Sequence, residues 1–169
     1  MIYFLAVFIP AFFVIIMGPF LIKRLKKWNM GQQIREQGPD SHKEKQGIPT
    51  LGGILIVSSI IISVLILLPL NYYIIWSLII IMGMGLIGVT DDLLKIKKQS
   101  SLGLNARYRI TGEIFLSLIL ALYIYYFLES GSVIIIPGLG SVNIGMWVIP
   151  LIILTVTGSV NALNLTDGL

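Results

Sequence analysis

The hydrophobic residues of this chain lie in long blocks and do not follow the period of 3.6 or 2.0 expected of an amphipathic helix or strand. Residues 2–22 carry no charge, and no charged residue occurs between positions 46 and 90. A helix needs about 20 apolar residues to cross a bilayer. The second block is therefore long enough for two spans, which the sequence PLN at 69–71 separates. The expected helices cover residues 2–22, 50–68, 72–90, 110–128 and 144–160.

The pattern predicts an all-α integral membrane protein with five transmembrane helices, forming a single domain over residues 1–169. The run VIIIPGLGSVNI at 133–144 contains two β-prone segments around a Pro-Gly turn, and it predicts a short extracytoplasmic β-hairpin. The first helix is expected to be a retained anchor, because no basic residue precedes it and four basic residues follow it directly.

The basic residues predict how the chain is oriented in the membrane. All twelve Lys and Arg lie within residues 23–45 and 95–109, and the other connections have none. Basic residues in short loops are retained on the cytoplasmic side, so the loops 23–49 and 91–109 are expected there, with the N-terminus outside and the C-terminus cytoplasmic. This rule accounts for the net charge of +4 without a nucleic-acid partner, and the absence of cysteine excludes disulfides.

Asp91 and Asp92 stand side by side where the third predicted helix ends. Adjacent carboxylates repel each other, and a hard cation such as Mg²⁺ stabilises such a pair while keeping positions for substrate phosphates. Lys95 and its basic neighbours also suit a phosphorylated ligand. The alternative is an interfacial pair that simply makes a salt bridge to Lys95 one turn later.

The segment NALNLTDGL at 161–169 is dense in short side chains that carry oxygen. Asn161, Asn164 and Asp167 follow one another at single-turn spacing, so they can ligate a metal or bind a polar ligand. The alternative is an ordinary helix C-terminus that ends in an Asp-Gly turn.

The segment 38–53 is a further candidate, because Lys45 and Thr50 supply donors beside a Gly-Gly pair that allows close backbone approach.

Three segments together resemble a known family: GQQIREQGPDSHKEKQGIPTLGG at 31–53, GVTDDLLKIKKQSSLGLNARYRITGE at 88–113, and NALNLTDGL at 161–169. In order and separation they are similar to the motifs of the polyprenyl-phosphate N-acetylhexosamine-1-phosphate transferases. The resemblance is closest to the branch that transfers phospho-N-acetylmuramoyl-pentapeptide, and it covers the hydrophobic spans as well as the polar segments.

The resemblance implies a bacterial inner-membrane enzyme of about ten transmembrane helices, with its active site on the cytoplasmic face. The family branch transfers phospho-N-acetylmuramoyl-pentapeptide from UDP-N-acetylmuramoyl-pentapeptide to undecaprenyl phosphate. The products are UMP and the first lipid-linked peptidoglycan precursor, and Mg²⁺ is the cofactor. A direct displacement and an aspartyl intermediate both remain open at this stage.

The resemblance also implies roles for individual residues. Asp91 and Asp92 correspond to the catalytic pair, in which Asp91 accepts a proton from the lipid phosphate, or orients it, and Asp92 helps to hold the metal-bound diphosphate. The metal ligands are expected to be Asp92, Asn164 and Asp167. The substrate-binding residues are expected to be Lys45, Thr50, Lys95, Asn161, Asn164 and Asp167.

The chain departs from the family pattern at a few positions. The family usually has Thr and Met where this chain has Ile48 and Leu51, and Gln where it has Glu113. The chain also stops within the third motif, so it resembles an N-terminal half, and that half alone is expected to lack transferase activity.

Three alternatives remain. A sister transferase would move N-acetylglucosamine 1-phosphate to a polyprenyl phosphate. An ion-coupled transporter would place its acidic residues near the bilayer midplane. A structural role would have the chain form a homodimer or a scaffold.

Overall fold

The computed structural model describes residues 1–28, 50–100 and 103–167, the last three as backbone only. Within these residues the chain forms five α-helices, one β-hairpin and a short 3-10 turn. The helices are α1 Ile2–Lys27, α2 Gly52–Leu67, α3 Tyr72–Lys98, α4 Ala106–Phe127 and α5 Val148–Asp167. The hairpin strands are β1 Val133–Ile136 and β2 Gly140–Asn143, and the 3-10 turn is Gly145–Trp147.

The described helices fit a membrane protein in length and in surface. Four segments, α1, α3, α4 and the 3-10 turn with α5, are long and apolar enough to cross a bilayer. Helix α2 is equally apolar but has 16 residues, which gives about 24 Å at 1.5 Å per residue. Large apolar side chains point outward, and on α1 Phe4, Phe12 and Phe20 are each 65–70% exposed. The expectation of an all-α membrane fold with a small hairpin is confirmed.

The third helix continues well past the predicted boundary at residue 90. Helix α3 runs to Lys98, so Asp91 and Asp92 lie on a helix and not in a loop. The segment DDLLKIKK contains good helix formers, and its lysines lie at the negative end of the helix dipole. Gln99 caps the helix in a left-handed conformation, and the Ser100 N–H donates to the Lys95 carbonyl. Its charged last two turns thus extend beyond the apolar part.

The break predicted between the second and third helices is present. Helix α2 ends at Leu67, and Asn71 begins α3, where its side-chain oxygen accepts from the Ile74 N–H at 3.0 Å. This N-cap satisfies one of the backbone donors that the first turn of a helix leaves free. Helix α2 has no side-chain N-cap of this kind. The residue before it, Leu51, has φ at 69°, in the left-handed region.

The chain divides into two compact units, residues 1–105 and 106–169. In the first unit α1 packs against α2, and α2 packs against α3. Gly85 of α3 faces Val57 of α2, and a methyl group at Gly85 would be 3.5 Å from it. Ser59 and Ser63 are buried on α2, where each hydroxyl donates to a carbonyl of its own helix. Small residues allow the helices to approach closely, as is typical of membrane helix packing.

In the second unit α4 packs against α5 along a narrow buried stripe. Glu113, Ser117 and Ala121 form this stripe at intervals of one turn, and each is at most 1% exposed. Two of the three are small, so the helices can lie close together. The third is a carboxylate, and it therefore requires partners within the unit.

The hairpin follows the prediction for residues 133–144. Strands β1 and β2 pair antiparallel, with Val133 opposite Asn143 and Ile136 opposite Gly140. The Leu139 N–H donates to the Ile136 carbonyl at 3.0 Å, and Gly138 has φ at +85°. This is a type II turn, which takes Pro at its second position and Gly at its third.

Two glycines of the second unit are expected to differ in their effect on stability when each is replaced by alanine. A methyl group at Gly131 would overlap the carbonyl oxygen of Ile124, whereas Gly158 on α5 has open space. We expect Gly131→Ala to lower the free energy of unfolding by about 1–3 kcal/mol. We expect Gly158→Ala to raise it by about 0.5–1 kcal/mol. Thermal unfolding in detergent, followed by circular dichroism, measures both, and equal stability of the two variants would contradict this account.

Candidate functional site

Asp91 lies in the C-terminal part of α3 and is only 8% exposed. Its Oδ1 accepts from the Leu104 N–H at 2.7 Å, and its Oδ2 lies 2.6 Å from the Lys95 ammonium. Lys95 stands one turn further on the same helix, so local geometry brings this pair together. The backbone donor comes from the segment that follows the helix. Asp91 therefore holds residues 103–105 against α3.

Asp92 also accepts a hydrogen bond from a backbone N–H, but from a different part of the chain. Its Oδ2 accepts from the Leu51 N–H at 3.0 Å, which joins α3 to the start of α2 across 41 residues. The first turn of a helix has free N–H groups and a partial positive charge, so a carboxylate is stabilised there. The Asp92 side chain keeps 28% of its surface exposed, against 11% for Asp91. Asp92 is the more accessible carboxylate of the pair.

Lys95 supplies the positive charge between the two carboxylates. Its ammonium lies 2.6 Å from Asp91 Oδ2 and 3.6 Å from Asp92 Oδ1, and its own side chain is 29% exposed. One cation thus offsets the repulsion between neighbouring acids. The longer distance leaves Asp92 Oδ1 only loosely held. Asp91, Asp92 and Lys95 are called the Asp-Asp-Lys cluster below.

Gly103 allows the segment after α3 to approach the Asp-Asp-Lys cluster. A methyl group there would overlap both the carboxylate and the backbone carbonyl of Asp91. Lys98 donates to the Gly103 carbonyl at 3.3 Å and closes the same turn. A glycine is required because the backbone must come within hydrogen-bonding distance of a side chain.

The carboxylates of the cluster suit a magnesium ion that takes most of its ligands from phosphate oxygens and water. Mg²⁺ is commonly held by one or two carboxylates together with phosphate oxygens and water, and the Asp92 side chain is 28% exposed, with Oδ1 3.6 Å from its nearest cation. Among the described side chains no group of three His, Asp or Glu residues forms a cage for a metal. Asp92 is therefore the described carboxylate that suits the ion best.

A second polar cluster lies in the other unit, between α4 and α5. Glu113 Oε2 accepts from Asn161 Nδ2 at 2.5 Å, and Asn161 Oδ1 accepts from an Arg109 terminal nitrogen at 2.8 Å. Arg109 Nε lies 3.5 Å from Glu113 Oε1. Asn161 Nδ2 also donates to the Thr157 carbonyl at 2.9 Å. Arg109, Glu113 and Asn161 are called the Arg-Glu-Asn cluster below.

The remaining predicted site residues are placed as follows. Asn164 is exposed, one turn beyond Asn161, and Asp167 is the last residue of α5, described as backbone only. Thr50 immediately precedes Leu51, and its hydroxyl oxygen is buried without a hydrogen-bond partner among the described residues. Lys45 lies outside the described residues.

The sequence pattern did not identify three features of these clusters. Arg109 and Glu113 were not candidate residues, although their four-residue spacing on one helix was a usable signal. Asn161 was expected to bind substrate, and within its unit its carboxamide contacts Arg109, Glu113 and Thr157. No sequence signal indicated that backbone N–H groups would bind the aspartates.

Comparison with known proteins gives many similar curated sequences. The chain is 40% identical over 153 residues to the phospho-N-acetylmuramoyl-pentapeptide-transferase of Thermoanaerobacter sp. (strain X514), which covers 90% of the chain and 48% of the relative. It is 41% identical over 157 residues to the protein of the same name from Clostridioides difficile (strain 630), which covers 92% of the chain and 49% of the relative. The chain thus spans about half the length of these relatives.

A family model described as "Glycosyl transferase family 4" matches residues 73–169. The matched region is more than half of the chain and contains all but the first residue of α3, together with α4, the hairpin and α5. It therefore includes both the Asp-Asp-Lys cluster and the Arg-Glu-Asn cluster. Because the match extends over this much of the sequence, the chain belongs to glycosyl transferase family 4.

Proposed function

We propose that this chain is part of a membrane transferase that moves a sugar 1-phosphate from a uridine diphosphate sugar to a polyprenyl phosphate. The donor is UDP-N-acetylmuramoyl-pentapeptide and the acceptor is undecaprenyl phosphate, so the products are UMP and a lipid-linked peptidoglycan precursor. The names of the curated relatives support this assignment of the transferred group. The observation that carries it is the Asp-Asp-Lys cluster at the charged end of an apolar helix.

The reaction forms one P–O bond and breaks another. An oxygen of the lipid phosphate attacks the phosphorus next to the sugar, and the bond from that phosphorus to UMP breaks. Phosphoryl transfer depends mostly on positioning and on neutralising charge. When bound, Mg²⁺ supplies charge neutralisation at the diphosphate, and the proposed ligands are Asp92, Asn164 and Asp167.

Lys95 is the group that changes its partner in this proposal. In the free protein its ammonium is engaged by the two carboxylates. Phosphate oxygens that arrive at the cluster compete for this ammonium, because charge-assisted hydrogen bonds to phosphate are strong. When Lys95 turns towards phosphate, Asp91 Oδ2 is released to orient the lipid phosphate or accept its proton. Asp91 Oδ1 stays on the Leu104 N–H and fixes the direction of the carboxylate.

The water-soluble nucleotide and the lipid phosphate can meet only at a membrane surface, which we propose to be the cytoplasmic face of the bacterial inner membrane. The distribution of the basic residues supports this orientation. The proposed nucleotide contacts are Lys45, Thr50 and the side-chain amide of Asn164.

Labelling of single cysteines tests this orientation, since the chain has no cysteine of its own. Lys97, Ser141 and Leu163 are all exposed positions. We expect an impermeant maleimide to label Ser141→Cys in intact spheroplasts, and to label Lys97→Cys and Leu163→Cys only after the membrane is opened. The proposal fails if positions 97 and 163 are labelled from opposite sides.

Conversion of either aspartate to its amide tests the catalytic assignment in the protein encoded by the complete reading frame. We expect Asp91→Asn and Asp92→Asn each to lower UMP release by about 10²–10⁴-fold, as is typical when a general base or an electrostatic contact is lost. The matched control is Glu129→Gln, which removes an exposed carboxylate near the hairpin and should leave the rate unchanged. Near-normal turnover of both aspartate variants, with normal expression, would remove the pair from the mechanism.

Residues 1–169 alone are expected to release no UMP from the donor, because the curated relatives are about twice as long. A radiolabel assay with UDP-N-acetylmuramoyl-pentapeptide measures this, with the complete protein as the positive control. UDP-N-acetylglucosamine in a parallel reaction distinguishes the sister transferase. Turnover by the purified fragment would refute the expectation of inactivity.

A further inference from the structure

The Arg-Glu-Asn cluster joins two helices through one nearly inaccessible carboxylate. Glu113 is 1% exposed, and its partners come from one turn earlier on α4 and from α5, 48 residues later. A buried charge is costly unless a counter-charge and hydrogen bonds satisfy it. Arg109 supplies the charge and Asn161 supplies a donor. Each member of the cluster therefore depends on the other two.

Both the oxygen and the nitrogen of the Asn161 carboxamide make hydrogen bonds. Its oxygen accepts from Arg109, and its nitrogen donates to both Glu113 and the Thr157 carbonyl. An amide offers two donor hydrogens on nitrogen, and here both have acceptors. Asn161 would have to lose these contacts before it could bind a ligand with the same nitrogen. Its exposed neighbour Asn164, one turn further along α5, is not held in this cluster.

We propose that Arg109 and Glu113 are positioning residues, which hold Asn161 and thereby fix the position of the last turns of α5, the segment that carries Asn164 and Asp167. The role of Asn161 is then to transmit this position, and it does not bind the substrate. The inference rests on the proposed function for the roles of Asn164 and Asp167. It assigns a task to a buried ion pair that the proposed mechanism does not use.

A rotation at one residue of a rigid helix moves the residues that follow it. Asn161 lies one turn before Asn164 and about two turns before Asp167, so a rotation at Asn161 displaces the Asn164 side chain and the backbone at residue 167. A displacement of about 1 Å in a catalytic group can lower a rate by about 10²-fold. The cluster fixes this rotation through Arg109 and Glu113, since both bond to the carboxamide of Asn161.

Exchanging the carboxylate and the amide between positions 113 and 161 tests the proposal. Asn161→Asp places a second acceptor against Glu113 Oε2 and the Thr157 carbonyl, and so replaces attraction with repulsion. Glu113→Gln removes the negative charge that neutralises Arg109. The double variant Glu113→Gln/Asn161→Asp restores the attraction between positions 113 and 161, because the introduced glutamine amide donates to the new carboxylate. Arg109 again has one negative partner, and only the contact with the Thr157 carbonyl stays lost. The double variant also has the same net charge as the wild type.

The first readout is UMP release by the complete protein, with kcat and KM determined separately. We expect each single variant to lose about 10–100-fold in kcat at a temperature where it remains folded. We expect the double variant to recover to within about threefold of wild type, which would be a large coupling in a double-mutant cycle. If the double variant remains as inactive as Asn161→Asp although its melting temperature recovers, Asn161 contacts the substrate and the proposal is wrong. If the single variants lower only the melting temperature, the cluster is merely structural and the proposal is also wrong.

The second readout does not depend on activity. A nitroxide on Leu163→Cys, a position that is 73% exposed, reports motion of the last turns of α5 in a chain without native cysteine. We expect Asn161→Asp to increase its mobility and the double variant to restore it. A nitroxide on Leu154→Cys, 70% exposed on the same helix, should not change. Equal mobility at position 163 in all variants would overturn the proposal.

The two readouts separate failure of this inference from failure of the proposed function. If the wild-type protein releases no UMP, the proposed function fails, and the spin labels still decide whether the cluster holds the end of α5. If the wild type is active and the variants behave like it, only the inference fails.

Discussion

The structure depends on one constraint, which is the cost of placing carboxylates on apolar helices where little water reaches them. Asp91, Asp92 and Glu113 all meet this constraint in the same way, with one cation and one donor from another part of the chain. For the aspartates the cation is Lys95, and the donors are backbone N–H groups. For Glu113 the cation is Arg109, and the donor is a side-chain amide. The acids therefore stabilise the fold through contacts that an apolar residue could not make.

The same contacts give the two clusters different chemical capacities. Glu113 is closed off from solvent, and its contacts join α4 to α5. The Asp-Asp-Lys cluster is partly open, and the loosely held Asp92 oxygen together with the Lys95 ammonium can exchange partners. Phosphate groups compete well for a lysine ammonium because they offer several charged acceptor oxygens. In the proposed reaction the cluster therefore changes from an internal salt bridge to a substrate contact.

The position of the aspartates on a helix matters for this exchange. An extended loop at residues 91–98 would leave the direction of each carboxylate undefined, whereas helix α3 carries both on rigid backbone. Rigid elements position functional groups more accurately than loops do. The segment 103–105 then contacts the cluster from outside the helix and is held by Asp91. This arrangement combines a fixed carboxylate with a nearby segment that must pass close to it, which is why Gly103 has no room for a side chain.

Local sequence was sufficient for the existence of the helices, the break at Asn71, the hairpin turn at Pro137-Gly138 and the identity of the polar segments, but α5 continues to Asp167, past the predicted end at residue 160. These features depend on residues close together in the chain, such as apolar runs of spanning length, an N-cap or a turn pair. The true end of α3 was also a local property, but the charged residues suggested a loop, while helix propensity favoured continuation to Lys98. Only the tertiary structure decided that Asp92 binds the Leu51 N–H, and that Asn161 lies between Arg109 and Glu113. Those partners are 41 to 52 residues apart, and their pairing depends on how whole helices pack, which no local pattern encodes.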